Sequence, residues 1–222
     1  QQITEERQSR KAGSKVLRTE RDRARTLSFG ADAALTFSDR WTSNTGIEAY
    51  ADRVSSSRVD RDLELDLPKR LRGLYPDGTR YLQASAYSLH HLAFGRLNME
   101  AGTRYSIYRV RITESTLGEV RIRPEALVFQ GGANYRLGGR THAFVHASEG
   151  YRAPNVDDMG TLGIVDFRYE RPAYDLRPER SLNTEFGIRY ADGRMRAQAS
   201  VFRTGLRDLI TRIKTTEVVA GY

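Results

Sequence analysis

The chain contains no cysteine among its 222 residues, and this absence excludes several classes of protein. A disulfide framework, a zinc site built on thiolates and a cysteine nucleophile would all require cysteine. Apolar runs are equally scarce, since mean hydropathy is −0.60 and no stretch approaches the roughly 18 apolar residues of a transmembrane helix. A helical membrane protein is therefore excluded. A membrane β-barrel is not, because its strands alternate in polarity.

Lysine is rare, and the positive charge comes almost entirely from arginine. Lys and Arg together number 36, against 28 Asp and Glu, for a formal charge of +8. Acids and bases are interleaved, as in RTERDRAR and RVDRDLELD, so no lone basic block marks a nucleic-acid site. We interpret the charge as a mixed, solvated surface and expect no nucleic-acid partner. Because no phosphate loop or metal signature is present, we also predict that the chain is not an enzyme and holds no cofactor or metal.

Strand-like alternation begins only after the first 25 residues. Residues 1–25 are polar without a sustained period, which predicts a loop or disordered segment, and residues 26–222 form the predicted domain. From Leu27 to Phe37 every second residue is apolar, which is typical of a β-strand. The same pattern recurs in four hairpins, whose turns lie at Ser38–Arg40, 92–95, Leu137–Gly139 and Ala191–Gly193. The Asp192-Gly193 pair predicts a type I′ turn.

Short turns alternate with long connections at 55–80, 110–124 and 151–180. This asymmetry is typical of outer-membrane barrels, which have short turns at one end and long loops at the other. We therefore predict eight antiparallel strands in chain order with all short turns at one end. A lipid-facing side would carry Leu27, Phe29, Leu35, Leu97, Met99, Ala101, Leu182, Phe186 and Ile188. The lumenal side would carry Glu48, Glu100, Arg104, Glu185 and Arg189.

Two motifs flank the last long connection and resemble those of TonB-dependent outer-membrane receptors. SEGYRAPNVDDM contains Tyr151, Arg152, Ala153 and Pro154, and AYDLRPERSLNTEFGIRY contains Asp175, Leu176, Pro178 and Glu179. The resemblance covers about residues 26–210. It implies an all-β, antiparallel transmembrane barrel of the 22-stranded type, of which this chain supplies about eight strands, with the plug domain outside this segment.

The resemblance also implies a function. Such receptors take up a scarce nutrient, most often a ferric siderophore, across the cell outer membrane, in contact with its lipid. They are driven by the TonB energy-coupling protein acting through the plug. Haem, cobalamin or another nutrient remains an alternative, although the histidine that commonly lies between the motifs of haem receptors is absent here. A different class also remains open, namely a small self-closed eight-stranded barrel with a structural or binding role.

Candidate ligand contacts lie in the long connection between the motifs. Arg168, Tyr169, Arg171 and Tyr174 combine guanidinium and phenol groups, which suit an anionic iron chelate. The same residues could instead hold the loop through their own charge pairs. His142 and His146 lie four apart on one strand and share a face, but such histidines are more often only solvated. The acidic pair at 157–158 more often caps a turn than binds a cation.

Overall fold

The computed structural model describes residues 1–114, 118–155, 158, 163–165, 168–170, 176–214, 216 and 218, and their regular structure is entirely β. The strands are β1 Gln2–Ser9, β2 Val16–Ser38, β3 Trp41–Asp62, β4 Leu67–Arg72, β5 Thr79–Phe94, β6 Leu97–Glu114, β7 Gly118–Ile122, β8 Glu125–Gly138, β9 Thr141–Arg152, β10 Gly163–Val165, β11 Arg168–Glu170, β12 Glu179–Ala191 and β13 Arg196–Arg207. Within these ranges no helix has the length and apolarity to cross a bilayer.

Eight long strands form one antiparallel sheet in chain order: β2, β3, β5, β6, β8, β9, β12 and β13. Their short connections, residues 39–40, 95–96, 139–140 and 192–195, all lie at one end of the sheet because each strand runs antiparallel to its neighbours. The predicted hairpins and their shared turn end are confirmed. We call the opposite edge the long-loop end.

The predicted type I′ turn at Asp192-Gly193 is wrong. Neither residue has positive φ, which such a turn requires at both central positions. Instead, Asp192 Oδ1 accepts hydrogen bonds from the N–H groups of Arg194 at 2.8 Å and Met195 at 2.7 Å. These backbone donors hold the pKa of the Asp192 carboxyl below its usual value. The aspartate side chain thus closes a longer turn.

The two faces of the sheet separate by polarity as predicted. Cross-strand pairing aligns Phe29 with Ala49, Ala49 with Ala84, and Ala84 with Ile107, so one face is apolar across four strands. On this outer face Leu27, Phe29 and Phe186 are 76%, 60% and 55% exposed. An apolar surface this extensive is unusual for a protein in water and indicates an apolar partner phase.

Opposite the apolar band, the inner face carries charged residues and is concave. Arg104 on β6 reaches across β5, where its Nη2 donates to Glu48 Oε2 on β3 at 2.6 Å and to Ser85 Oγ at 2.7 Å. An open concavity of ≈ 590 Å³ is lined by residues of six successive long strands, among them Glu100, Glu185 and Arg189. The sheet therefore curls around its charged face, as the sequence predicts.

Two glycines on the inner face each lie beneath an aromatic ring of the next strand. Tyr87 covers Gly46, and Phe144 covers Gly187. A guanidinium then lies over each ring, since Arg104 is 5.7 Å from the Tyr87 centroid and Arg189 is 5.4 Å from that of Phe144. The missing side chain of glycine leaves the room that lets the ring lie flat on the sheet.

The N-terminal 25 residues correct the sequence prediction, because they form β1 and the start of β2 rather than a loop. Here hydrogen bonds between charged and polar side chains of the two strands support the pairing, and the alternation of apolar residues is missing. Arg21 Nη2 donates to Glu6 Oε2 at 2.5 Å, and Arg25 Nε donates to Gln2 Oε1 at 2.9 Å. Both faces are polar, so the period-2 signal is absent.

The connections at 55–80 and 110–124 are also more ordered than predicted. β3 continues to Asp62 and pairs with β4, and β6 continues to Glu114 and pairs with β7. The ends of β3 and β6, with β4 and β7 paired to them, extend the sheet beyond its apolar band. Val110, Ile112, Val120 and Ile122 form a small buried cluster between β6 and β7, against which Tyr81 and Leu176 pack.

The sheet is open in the described part of the chain, with β1 and β13 at its two edges. The alternative of eight strands closed on themselves is therefore not what the structure contains. An open, curled sheet with one apolar face is instead an arc of a larger barrel.

Candidate functional site

The two sequence motifs meet at the long-loop end of the sheet. β9 and β12 are neighbours, and their register places Ser148 opposite Asn183, and Arg152 opposite Glu179. The chain between these last two residues therefore leaves the sheet and returns to it at the same point. The motifs thus form the two sides of one loop base.

Arg152 joins the two sides through three charge-assisted hydrogen bonds. Its Nε donates to Glu179 Oε2 at 2.7 Å and its Nη2 to Glu179 Oε1 at 2.9 Å, in bidentate geometry. Its Nη1 donates to Asp158 Oδ2 at 2.6 Å. We call Arg152, Asp158 and Glu179 the base clamp.

The acids of the clamp also accept hydrogen bonds from backbone N–H groups, and the pKa of Glu179 is shifted. The Arg152 guanidinium, helped by the N–H of Ile210, lowers the pKa of Glu179 to about 2. Asp158 Oδ2 accepts the N–H of Asn155 at 2.9 Å, and the Asp158 N–H donates to Asn155 Oδ1 at 2.9 Å. Asp158 therefore caps a turn, which was the preferred interpretation of that acidic pair.

Aromatic and apolar residues of the motifs pack beneath the clamp. The Tyr108 hydroxyl donates to that of Tyr151 at 2.6 Å, and the Tyr108 ring lies 6.0 Å from that of Tyr81. Pro154 is fully buried, and Leu176 packs on the cluster between β6 and β7. Residues of the two motifs therefore connect the loop base to β6 and to the buried cluster between β6 and β7.

Two of the four predicted ligand contacts belong to the described part of the loop. Arg168 and Tyr169 belong to β11, which pairs with β10 so that Arg168 is opposite Val165 and Tyr169 opposite Ile164. Arg171 and Tyr174, like Asp175 of the second motif, lie outside the described residues. The prediction that these side chains contact a ligand therefore stays a prediction. Ala153 and Pro178 flank the clamp and are partly buried.

The histidines divide between the two faces. His146 and His91 line the inner concavity beside Glu100, with His146 Nε2 3.5 Å from Oε1 and His91 Nδ1 4.0 Å from Oε2. His142 shares this face, as predicted, and its Nδ1 is 3.0 Å from Asn134 Oδ1. His90 lies on the outer face, where its Nδ1 accepts from Trp41 Nε1 at 3.2 Å. Across the described ranges, no group of three or more potential ligands could hold a metal ion.

Sequence reasoning recognised Arg152 and Glu179 only as motif members and missed their contact. The signal was available, because the two residues lie near the two ends of the predicted connection at 151–180, which joins neighbouring strands of the same sheet. Antiparallel neighbours bring such ends together. What the sequence did not show was Asp158 as the third member.

Comparisons with known proteins give a consistent assignment. A family model described as "TonB dependent receptor-like, beta-barrel" matches residues 4–221. No curated protein matches the chain. Among solved structures, the copper transporter OprC superposes with a TM-score of 0.73 at 15% identity, over 87% of this chain and 31% of its own.

Two iron-uptake proteins superpose comparably. The ferric yersiniabactin uptake receptor FyuA from Yersinia pestis gives a TM-score of 0.63 at 18% identity, over 94% of this chain and 32% of its own. The ferric citrate transporter FecA gives 0.65 at 14% identity, over 99% and 32%. The chain thus spans about a third of the length of these proteins. It belongs to the TonB-dependent receptor-like β-barrel family.

Proposed function

We propose that this chain forms part of the membrane barrel of an outer-membrane transport receptor, which takes up a scarce nutrient as an anionic iron chelate of the ferric siderophore type. The observation that carries this proposal is the base clamp. It fixes both ends of a long, arginine- and tyrosine-containing loop at the rim of a barrel arc. Loops held on a rigid scaffold are where binding residues concentrate.

The chemistry of the loop favours an anionic chelate over the alternatives. Arg168, Tyr169, Arg171 and Tyr174 supply planar donors and aromatic faces, which suit carboxylate, catecholate or hydroxamate oxygens. No histidine lies between Asn155 and Tyr174, so the loop offers no imidazole for haem iron. The similar structures are named for copper, ferric chelates and haem, so related barrels serve several nutrients.

The inner concavity supports a second part of the proposal, an energy-coupled plug. Glu185 has no ion-pair partner in the described part of the chain, and Glu100 is accompanied only by histidines. These acids suit basic groups on a plug domain, through which the TonB energy-coupling protein would act. No enzymatic step and no nucleic-acid partner enters this function.

Uptake of radiolabelled iron complexes tests the proposal directly. Receptor-deficient cells carrying the complete receptor would be given a panel of ferric siderophores, with haem and cobalamin as comparison ligands. We expect saturable uptake of one ferric siderophore that falls to background when the coupling protein is deleted. Uptake that persists without the coupling protein, or that occurs only with haem or cobalamin, would contradict the proposed function or its substrate.

The loop arginines provide a sharper variant of this experiment. We expect Arg168→Ala and Arg171→Ala each to weaken uptake about five- to thirtyfold, because a partly desolvated arginine–anion contact contributes about 1–2 kcal/mol. Arg177→Ala is the matched control, since Arg177 is an exposed arginine beside the loop base. Wild-type uptake in the double variant, with surface expression verified, would reject this loop as the binding site.

Membrane orientation can be tested on two adjacent residues of β12. This chain lacks cysteine, so Phe186→Cys and Glu185→Cys each introduce the one reporter within it, and any cysteine elsewhere in the complete receptor is replaced by serine. In proteoliposomes a water-soluble maleimide should label Glu185→Cys at least about tenfold faster, because neighbouring strand residues point to opposite faces. Faster labelling of Phe186→Cys would invert the assignment of lipid and lumen.

A further inference from the structure

Five arginines stand side by side on the outer face near the long-loop end. Arg25 on β2 is directly opposite Arg53 on β3, which is opposite Arg80 on β5. Arg80 is opposite Arg111 on β6, and Arg111 is opposite Arg121 on β7. We call these five residues the arginine row. It borders the apolar band, because residues two positions further along β2 and β5 are Leu27 and Leu82.

This arrangement is unfavourable without an anion. Like charges directly opposite each other destabilise a pair of strands, and the row contains four such juxtapositions in succession. Glu119 pairs with Arg111 and Arg121 at one end of the row. Within the described residues neither Arg53 nor Arg80 has a side-chain partner, and both are exposed. Two neighbouring guanidinium groups are therefore available to converge on one anion.

Strand alternation explains how a mixed-charge sequence produces the arginine row. In RTERDRAR, Arg21, Arg23 and Arg25 point outward, whereas Glu20 and Asp22 point to the inner face. On β3, Asp52 faces inward beside outward-facing Arg53 in the same way. At this place in the sheet, alternation therefore puts the arginines of the row on the outer face and the acids next to them in sequence on the inner face.

A second cationic site lies on the same face at β12 and β13. Arg180 is directly opposite Arg207, and both line a concavity of ≈ 470 Å³ together with Arg203 and Leu182. Glu149 is the one acid lining it, and its Oε2 already accepts the N–H of Phe129 at 3.1 Å. The combination of guanidinium groups with an apolar wall is thus repeated.

We propose that the arginine row binds phosphate groups of lipid headgroups in the membrane leaflet at the long-loop end. The β12–β13 concavity is a second binding site for the same groups. The proposal rests on the proposed function, because it requires the outer face to be in a bilayer. Guanidinium matches phosphate oxygens in bidentate geometry, and acyl chains of the same lipid would lie on the adjacent apolar band. A lipid satisfies both surfaces, whereas a soluble anion satisfies only one.

Native mass spectrometry of the complete receptor in dodecyl maltoside tests the inference. The probe is diphosphoryl lipid A, titrated alongside its dephosphorylated form. We expect the double variant Arg53→Gln with Arg80→Gln to bind the phosphorylated lipid about tenfold more weakly. The matched control is Arg40→Gln with Arg96→Gln, which removes the same charge from exposed residues at the short-turn end. Its affinity should be unchanged.

Each other outcome overturns the inference. Equal binding by wild type and the row variant, both shown to be folded by heat-modifiable migration, removes the row as the site. An equal loss of lipid affinity in the control variant would show that binding depends on the overall charge of the receptor and not on the row. Equal binding of the dephosphorylated lipid indicates apolar contact alone, and full competition by millimolar inorganic phosphate indicates a general anion site. These binding measurements do not require transport. The proposed function is therefore tested separately, because absent uptake, or absence of the receptor from outer-membrane fractions, would contradict it without affecting the binding result.

Discussion

Adding one methyl group at residue 187 is expected to lower the free energy of unfolding by about 3 kcal/mol, or about 150-fold in the folding equilibrium. A Cβ built on Gly187 lies 2.5 Å from Cζ of Phe144 and 2.6 Å from the backbone oxygen of Ala199. The ring could move, but the carbonyl belongs to the neighbouring strand and could not move alone. Gly187→Ala therefore forces β12 and β13 apart.

Urea unfolding of the receptor from lipid vesicles measures this effect. Gly205→Ala is the control on the adjacent strand, because a Cβ there meets nothing within 4 Å. Combining Gly187→Ala with Phe144→Ala separates the two contacts: a full recovery would assign the clash to the ring, and no recovery to the carbonyl. A Gly187→Ala receptor as stable as wild type would show that the two strands accommodate the methyl group.

Loss of the base clamp should open the loop to proteases. We expect Arg152→Met to raise the cleavage rate between residues 153 and 178 about fiftyfold, because the loop base then lacks its bidentate contact and Asp158 loses its cationic partner. Exposed ion pairs usually contribute little, but this one has bidentate geometry and forms a network with backbone donors. Limited trypsin digestion of folded receptor, read by mass spectrometry, gives the rate.

The contact can be isolated by a double-mutant cycle. Glu179→Gln should raise cleavage by itself and add little in the Arg152→Met background, whereas additive effects would show that the two residues act independently. Arg177→Met controls for loss of an arginine beside the loop. Because the pKa of Glu179 is depressed from 4.5 to about 2, its stabilising contribution is fully present above 4.5 and is lost as pH falls through 2. Protection from pepsin should accordingly persist at pH 4.

The eight-stranded arc could be predicted because apolar alternation and turn residues coincide along it. Leu27 to Phe37 alternate cleanly, and their strand ends at the predicted turn. The first 25 residues could not be predicted in this way. Their strands lie beyond the apolar band, where both faces are polar, and contacts such as Arg21–Glu6 become visible only once the register is known.

The candidate site was predictable in position but only partly in geometry. The motif spacing located the loop and its two flanking strands, and the interpretation of Asp158 as a turn cap is correct. The role of Arg152 depends on a contact with a residue 27 positions away, which no local pattern encodes. The arginine row was hidden for the same reason, since its members are neighbours only through strand pairing.

The base clamp has a consequence for how such a receptor can diversify. Arg152 and Glu179 are joined, and Pro154 and Leu176 pack at the loop base, so the chain between them can change length at a loop-closure cost that rises by only about 0.6 kcal/mol for each doubling of length. Insertions, deletions and substitutions outside the clamp can therefore accumulate without disturbing strand register. If the proposed function holds, ligand preference can therefore change in this segment while the wall beneath it stays the same, and the clamp separates the part of the sequence that can vary from the part that must remain constant.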